Sequence, residues 1–230
     1  MNLLIIQNDP LEPLGLIEGF LSELGHRWDT ITTYDGYDIS KIDIYGYEAM
    51  IVMGGRYDSW EERYAPLHGF IRNFVNAGKG YLGVCLGAQM LAIAMGGRVE
   101  FGERPEVGHM GVSRTSISAN EPILKGFDES IPVFQWHQDQ IVALPDGAVN
   151  LLSSDIAANQ FIKINEIAYG MQFHWDIDNA ILSELCAKHK GWLAQKGADP
   201  QTLITGMEAN IGTYKKYLYR FMDNWFGLMG

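Results

Sequence analysis

The stretch that decides the fold runs from residue 81 to residue 97 and reads YLGVCLGAQMLAIAMGG. Its first four residues form a short apolar run typical of a buried strand, and residues 86–95 are typical of a buried helix that ends at two glycines. Between them, Gly83 and Gly87 flank Cys85 in the pattern Gly-x-Cys-x-Gly. This pattern indicates a sharp strand-to-helix turn with the cysteine at its apex.

Short apolar runs alternate with helical stretches through the whole first half of the chain. Continuous apolar strands separated by helices are typical of a parallel sheet covered on both faces, so an α/β fold is expected. Cys85 would then lie at the carboxyl end of the sheet, where open α/β sheets bind their ligands. The predicted strands are 3–6, 28–33, 49–53 and 81–84, and the predicted helices are 14–24, 67–75 and 86–95.

The second half of the chain has a different pattern. Alternating segments separated by Pro, Gly, Asn and Asp predict added antiparallel strands on the same sheet. Two apolar stripes at helical spacing then predict a helical C-terminal extension over residues 180–230, with Cys186 as a packing residue. No linker or repeat interrupts the chain, which favours one domain over residues 1–230. The alternating segments are 111–117, 133–136, 149–153, 158–164 and 168–173, and the helical stripes are 181–192 and 203–225.

Composition excludes several classes of partner. The chain has 28 acidic residues against 17 Lys and Arg, a formal net charge of −11. Without a cluster of cations, binding to nucleic acid or to an anionic membrane is not expected. Two cysteines cannot build a disulfide framework, and the N-terminus lacks the basic region of a secretory signal, so a cytoplasmic location is expected. No metal-ligand spacing and no phosphate- or dinucleotide-binding glycine motif is present, so neither a metal nor a cofactor is predicted.

Cys85 has the surroundings of a nucleophile. A helix N-terminus beneath it would lower the thiol pKa and direct free N–H groups toward an oxyanion. A second turn, Gly54-Gly55 after the predicted strand 49–53, would let further backbone N–H groups approach a ligand. The alternative is that Cys85 is a small buried apolar residue, as many free cysteines are.

A thiol nucleophile needs a base, and two histidines qualify. His174 ends an apolar strand and is followed two residues later by Asp176, and His137 is followed in the same way by Asp139. Residues i and i+2 of an extended chain project to the same side, so each carboxylate can approach its imidazole. Spacing alone does not choose between them, and His174 could instead be a surface or cap residue. The remaining histidines are interpreted as structural or exposed: His26, His68, His109 and His189.

Taken together, these motifs resemble the class I (triad) glutamine amidotransferases, in particular stand-alone domains similar to the amidotransferase half of GMP synthase. The resemblance rests on Gly-x-Cys-x-Gly-x-Gln at 83–89, Gly-Gly at 54–55, Trp-His-x-Asp at 136–139 and Gln-Phe-His at 172–174, and it covers roughly residues 1–180. It implies a flavodoxin-like sheet and release of ammonia from glutamine through a γ-glutamyl thioester on the cysteine.

The resemblance also implies a role for each matching residue. Cys85 is expected to be the nucleophile, His174 the base and then the acid, and Asp176 the group that orients the imidazole. The backbone N–H groups of Gly55 and Leu86 are expected to form the oxyanion hole. Four residues are expected to help hold the γ-glutamyl group: Gly54, Gln89, His137 and Gln138.

One motif departs from the family. Its members read His-Pro-Glu where this chain reads His174-Trp175-Asp176. Aspartate keeps the charge but is one methylene shorter, and loss of the proline relaxes the backbone that aims the carboxylate. The departure leaves open a non-catalytic glutamine-binding or regulatory module. A related family of peptidase-like and chaperone-like proteins also has a cysteine turn, but there a histidine usually follows the cysteine, where this chain has Leu86.

The leading prediction is an enzyme that hydrolyses the γ-glutamyl amide of glutamine. Family members that use the ammonia carry or bind a synthetase, and 230 residues leave no room for one. Either a separate synthetase subunit takes the ammonia, or the chain is a γ-glutamyl peptidase acting on glutathione-like compounds.

Overall fold

The computed structural model describes residues 1–36 and 38–230. The strands are β1 (Asn2–Gln7), β2 (Arg27–Thr32), β3 (Ala49–Val52), β4 (Gly80–Val84), β5 (Arg98–Arg114), β6 (Ser130–Ala143), β7 (Val149–Ser153), β8 (Phe161–Asn165) and β9 (Ala168–Met171). The helices are α1 (Leu16–Glu23), α2 (Ala65–Asn76), α3 (Leu86–Ala94), α4 (Asn179–Lys188), α5 (Lys190–Gln195) and α6 (Pro200–Met229). All these strands belong to one sheet, in the order β2-β1-β3-β4-β9-β8-β7-β5-β6.

The first five strands in this order are parallel, so their carboxyl ends lie along one edge of the sheet. Their arrangement, β2-β1-β3-β4-β9, is the flavodoxin-like order, so the predicted fold class is confirmed. Val52 pairs with Gly83, and Val84 pairs with Met171. Because these strand ends are level, the segments that follow β3, β4 and β9 meet at the carboxyl edge of the sheet.

The remaining strands extend the sheet in antiparallel fashion, as the sequence predicts, but two of them are much longer than expected. Segments 111–117 and 133–136 belong to β5, of 17 residues, and β6, of 14 residues, which pair as one long hairpin with irregularities in register. The alternating pattern missed their outer halves because buried positions there are held by glycine and polar residues, such as Gly102, Glu106 and His137, so apolar residues do not alternate. Residues 116–120 form a 3₁₀ turn, not the end of a strand.

Helices cover both faces of the sheet. Leu3 and Ile5 pack in the core shared with α1, α4, α5 and α6, whereas Leu4 and Ile6 pack in the core shared with α2 and α3. The predicted single helix over 181–192 is wrong, because His189 interrupts it and separates α4 from α5. In the part of the chain that the structure describes, no helix has both the length and the apolar character that a membrane span needs.

Candidate active site

Cys85 stands in the strained turn that the sequence predicts. Its φ of 50° is the one positive φ among the described residues other than glycine. The turn is held because the Cys85 N–H donates to the Met171 carbonyl at 2.8 Å. A Cβ on Gly83 would collide with the backbone of Gly87, and a Cβ on Gly87 would collide with the Val52 carbonyl. Both flanking glycines are therefore required for helix α3 to lie this close to the sheet.

The thiol of Cys85 is largely buried, with 7% of the residue exposed at the floor of a cavity. Burial raises the pKa of this thiol, the interaction with His174 lowers it, and the carboxylates of Glu12 and Asp176 raise it further. The net shift is upward. Burial and the two carboxylates outweigh the imidazole in this shift, and a lowering of the pKa by the helix N-terminus remains a prediction.

His174 and Asp176 lie together beside this thiol. His174 Nδ1 is 3.0 Å from Asp176 Oδ1, and both side chains are buried. Burial alone would lower the pKa of His174, but Asp176 and then Cys85 outweigh it and raise the pKa well above the usual value. Nε2 has no hydrogen-bond partner of ordinary geometry. That nitrogen is therefore free to exchange a proton with the thiol or with a ligand.

Hydrogen bonds hold the backbone of the His174-Trp175-Asp176 segment, in which tryptophan replaces the proline of the family motif. His174 exchanges two backbone hydrogen bonds with Phe134, of 2.8 and 3.1 Å. The Trp175 indole donates to the Pro132 carbonyl at 3.0 Å. The Leu16 N–H donates to the Asp176 carbonyl at 2.7 Å. These bonds fix the backbone on both sides of Trp175, and the shorter aspartate still reaches the imidazole.

His137, the rival base, is occupied by other partners. Its Nδ1 lies 3.0 Å from the Asp139 carbonyl oxygen, and its Nε2 lies 3.3 Å from the Glu106 carboxylate. The carboxylate that faces His137 is thus Glu106, not Asp139. His174 is the better candidate for the base, because its imidazole is hydrogen-bonded to the Asp176 carboxylate and interacts with the Cys85 thiol. Within the described residues, His137 Nε2 makes no hydrogen bond and faces the Glu106 carboxylate.

Gly55 and Leu86, the two residues predicted to form an oxyanion hole, are in contact. A Cβ on Gly55 would lie 2.9 Å from the Leu86 side chain and 3.2 Å from Asn8. The Asn8 amide donates to the Met53 carbonyl at 2.8 Å and so holds the turn that follows β3. Within residues 1–36 and 38–230, no acceptor takes the N–H of Gly55 or of Leu86. An oxyanion hole requires such free N–H donors close to the nucleophile.

The other expected binding residues have different surroundings. Gln89 donates to the Asp139 carbonyl and to the Gln172 side chain, both at 3.3 Å, and faces the cavity with His137. Gln138 also lines the cavity, but its amide is bonded to the Gly102 carbonyl and to Lys196. Gly54 does not line the cavity and lies against the Glu12 carboxylate. A Cβ built on Gly54 would lie 3.6 Å from His174 Cε1.

The cavity has a volume of about 370 Å³ and contains residues that the sequence did not indicate. Glu12 lines it beside Cys85. A charged group beyond the thiol comprises Arg56, Asp58 and Asp139. Aromatic side chains form another wall: Tyr57, Phe101, Trp136, His189 and Trp192. His189 is thus a wall residue, contrary to the interpretation from sequence, because α4 and α5 fold back over the sheet edge.

Only some of the cavity residues belong to, or directly follow, a motif that can be recognised in the sequence. The Trp-His-x-Asp motif contains Trp136 and Asp139, and Arg56 to Asp58 follow the Gly-Gly turn. Glu12, Phe101 and Trp192 lie on segments without a recognisable motif, and only the tertiary structure brings them to the cavity. The residues that the structure describes contain no group of three His, Cys, Asp or Glu side chains placed to hold a metal ion.

Comparison with known proteins agrees with this geometry. The family model described as glutamine amidotransferase class-I matches residues 20–178. One subunit of the glutamine-hydrolyzing GMP synthase of Methanospirillum hungatei is 30% identical over 112 residues, which cover 48% of this chain and 58% of that relative. Gamma-glutamyl peptidase 3 of Arabidopsis thaliana is 25% identical, over 71% of this chain and 68% of the relative.

A solved structure agrees over nearly the full length. The crystal structure of a glutamine amidotransferase from Thermotoga maritima has a TM-score of 0.88 and 26% sequence identity, and the match covers 98% of this chain and 97% of that chain. The family model spans well over half of the sequence. The chain therefore belongs to the class I glutamine amidotransferase family.

Proposed function

We propose that residues 1–230 act as one glutaminase-type unit that hydrolyses a γ-glutamyl amide. The observation that carries the proposal is the meeting of a strained cysteine, a histidine–aspartate pair and two free N–H groups at one end of a cavity. Cys85 Sγ attacks the γ-carbonyl while His174 takes the thiol proton, and Asp176 stabilises the imidazolium. The N–H groups of Gly55 and Leu86 bind the oxyanion.

The reaction is completed in two further steps. The tetrahedral intermediate collapses, the C–N bond breaks, and His174 gives its proton to the leaving nitrogen. Water then attacks the γ-glutamyl thioester, with His174 taking a proton from it. The C–S bond breaks, the proton on His174 returns to Cys85 Sγ, and glutamate leaves. Each step transfers one proton to or from a single nitrogen of His174. We assign this role to Nε2, which has no hydrogen-bond partner of ordinary geometry among the described residues.

The charged end of the cavity matches the zwitterionic end of a γ-glutamyl group. Arg56 forms an ion pair with Asp9 at 3.0 Å and remains half exposed, so it can also bind the α-carboxylate. Burial and then the charge of Asp58 raise the pKa of Asp139 to about 6. An α-ammonium group placed between these two aspartates would relieve their repulsion.

The amine side of the substrate distinguishes two branches. In the first, glutamine is the substrate and a separate synthetase subunit takes the ammonia, with glutamine held by Gln89, His137 and Gln138. In the second, the chain is a γ-glutamyl peptidase. The second branch has a specific support, because the aromatic wall around Trp136 and Trp192 offers apolar surface that ammonia does not need and a larger amine can cover.

The test compares both substrates with one nucleophile variant. Purified protein is incubated with glutamine or with a γ-glutamyl dipeptide, and glutamate, ammonia and released amine are quantified. Intact mass measures the covalent intermediate. Cys85→Ala should lower turnover about 10³-fold or more, whereas Cys186→Ala, a change at the other buried cysteine, should keep it. Absence of turnover and of acyl-enzyme with all substrates would reject the enzyme and leave the binding module.

A further inference from the structure

Glu12 is a buried carboxylate that the mechanism above does not use. It lies in the loop between β1 and α1, where its N–H donates to the Asp9 carbonyl at 3.1 Å. The residue is 8% exposed, and this remaining surface faces the cavity beside Cys85 and Gly55. The loop thus directs a carboxylate into the reacting end of the site.

The carboxylate lies next to the imidazole of His174. The position that a Cβ of Gly54 would take is in collision with Glu12 Oε2 and is 3.6 Å from His174 Cε1. Position 54 must therefore be glycine to leave space for the carboxylate. His174 itself is 1% exposed and does not line the cavity, so Glu12 stands on its cavity side.

Glu12 has no hydrogen-bond donor of its own. In the described part of the chain, no backbone or side-chain group donates to its carboxylate. Burial raises its pKa to about 7, with His174 opposing and with Asp176 and Asp9 adding to the shift. Its oxygens are not among the fully enclosed polar atoms of the described residues, so they keep surface toward the cavity, and they accept no bond that would hold their own loop. Its position in the cavity indicates that a ligand supplies the donor.

In a bound γ-glutamyl substrate, the donor expected nearest to the Glu12 carboxylate is the nitrogen of the scissile amide. When the γ-carbonyl oxygen lies on the N–H groups of Gly55 and Leu86, the amide nitrogen must face His174 to be protonated. Glu12 stands beside that imidazole. Asp58 and Asp139 line the same cavity and are the carboxylates proposed above for the α-ammonium group, so Glu12 is not needed for that role.

We propose that Glu12 binds the leaving amine by accepting a hydrogen bond from the N–H of the scissile γ-glutamyl amide. The inference rests on the proposed function of this site. As the C–N bond breaks, its electron pair stays on nitrogen and the proton on His174 Nε2 passes to that nitrogen. The hydrogen already present on the nitrogen stays on it and remains hydrogen-bonded to the Glu12 carboxylate, which holds the amine in line with His174 until cleavage is complete.

A matched pair of substrates isolates this contact. In γ-glutamylmethylamide the leaving atom is an N–H nitrogen, and in glutamate γ-methyl ester it is an oxygen without hydrogen. Glu12→Met keeps the side-chain length and removes the acceptor. It should lower kcat/KM for the amide at least tenfold more than kcat/KM for the ester. Glu12→Gln keeps one acceptor oxygen without the charge and should change the amide-to-ester ratio by an intermediate factor.

Controls separate the possible failures. Glu18→Met removes an exposed carboxylate from the first turn of α1 and should leave both substrates unaffected. Equal losses on amide and ester in either Glu12 variant would overturn the inference, and if Glu12→Met does not fold, Glu12→Gln decides alone. If the unmodified protein cleaves neither substrate and forms no adduct on Cys85, it is the proposed function that fails.

Discussion

Cys85 and Cys186 are both buried and unpaired, but only Cys85 lies beside an imidazole. We expect a chloroketone analogue of glutamine to alkylate Cys85 and to leave Cys186 unmodified. His174→Ala should slow this alkylation about 10²-fold or more, because removal of the base leaves a thiol whose pKa burial has raised. Mass spectrometry of the intact protein and of its peptides gives the rate and the site.

His26→Ala provides the control for this prediction. His26 precedes β2 and so lies at the amino edge of the parallel sheet, opposite the cavity. Its replacement should not change the alkylation rate. Equal rates in the unmodified protein and in His174→Ala would show that the imidazole does not activate the thiol.

Glu12 also gives a prediction for stability. Its pKa rises from 4.5 to about 7 on folding, so the folded state binds more protons than the unfolded state between these values. The free energy of unfolding therefore falls as the pH rises through that window. Glu12→Gln removes the effect and should stabilise the protein at pH 8 by on the order of 3 kcal/mol relative to its effect at pH 4.

Urea unfolding of both proteins at the two pH values measures this difference. His174 and Asp176 are present in both proteins, so the two differ in sequence at position 12 alone. The same change in unfolding free energy at pH 4 and at pH 8 would contradict the assignment of a raised pKa to Glu12.

At the scale of elements, the start of α1 supports the end of β9. Gly15 has a φ of 53°, and a Cβ there would collide with the Asp176 carbonyl that also accepts the Leu16 N–H. Gly15→Ala should therefore displace Asp176 and lower kcat about tenfold, since the carboxylate no longer orients His174. It should also destabilise the protein by more than the roughly 1–2 kcal/mol that a left-handed alanine costs.

The matched variant is Gly25→Ala, which has a similar φ of 68° and open space around its Cβ. It should show the backbone cost in chemical unfolding without any loss of kcat. A loss of kcat of equal size in both variants would mean that α1 acts on the site through general stability alone.

At the scale of the whole molecule, the cavity is closed by segments far apart in sequence. Trp192 of α5 packs on Trp136 of β6 with ring centroids 5.4 Å apart, and Lys196 beyond α5 bonds to Gln138. We expect Trp192→Ala to lower kcat/KM for a γ-glutamyl anilide several-fold more than for glutamine. Burial of an aromatic amine on these rings is the physical reason.

Trp60→Ala serves as the control, because Trp60 is exposed and does not line the cavity. It should leave the anilide-to-glutamine ratio unchanged. Phe101→Ala, at a wall residue that is 66% exposed, repeats the test without a risk to folding. An unaltered ratio in both wall variants would mean that the aromatic wall does not bind the amine.

Much of the parallel half of the sheet could be predicted from the sequence. Strands buried on both faces leave continuous apolar runs, and the glycines around Cys85 have no other physical use than a tight turn. The long hairpin of β5 and β6 could not be predicted to its full length, because polar residues such as Glu106 and His137 occupy buried positions in it and interrupt the apolar periodicity. The break at His189 had no glycine or proline to mark it.

The sequence by itself indicated the strand-to-helix turn at Cys85 and the family, and it offered His174 with Asp176 as one of two possible pairs, because each of these depends on residues that are close in the chain. Only the tertiary structure gives a reason to prefer His174 over His137 as the candidate base, since that reason is its interaction with Cys85, which is distant in sequence. It alone decided the direction of the Cys85 pKa shift and the presence of Glu12 in the site. Burial and electrostatic interaction depend on distances in space, and the order of residues along a chain does not specify those distances.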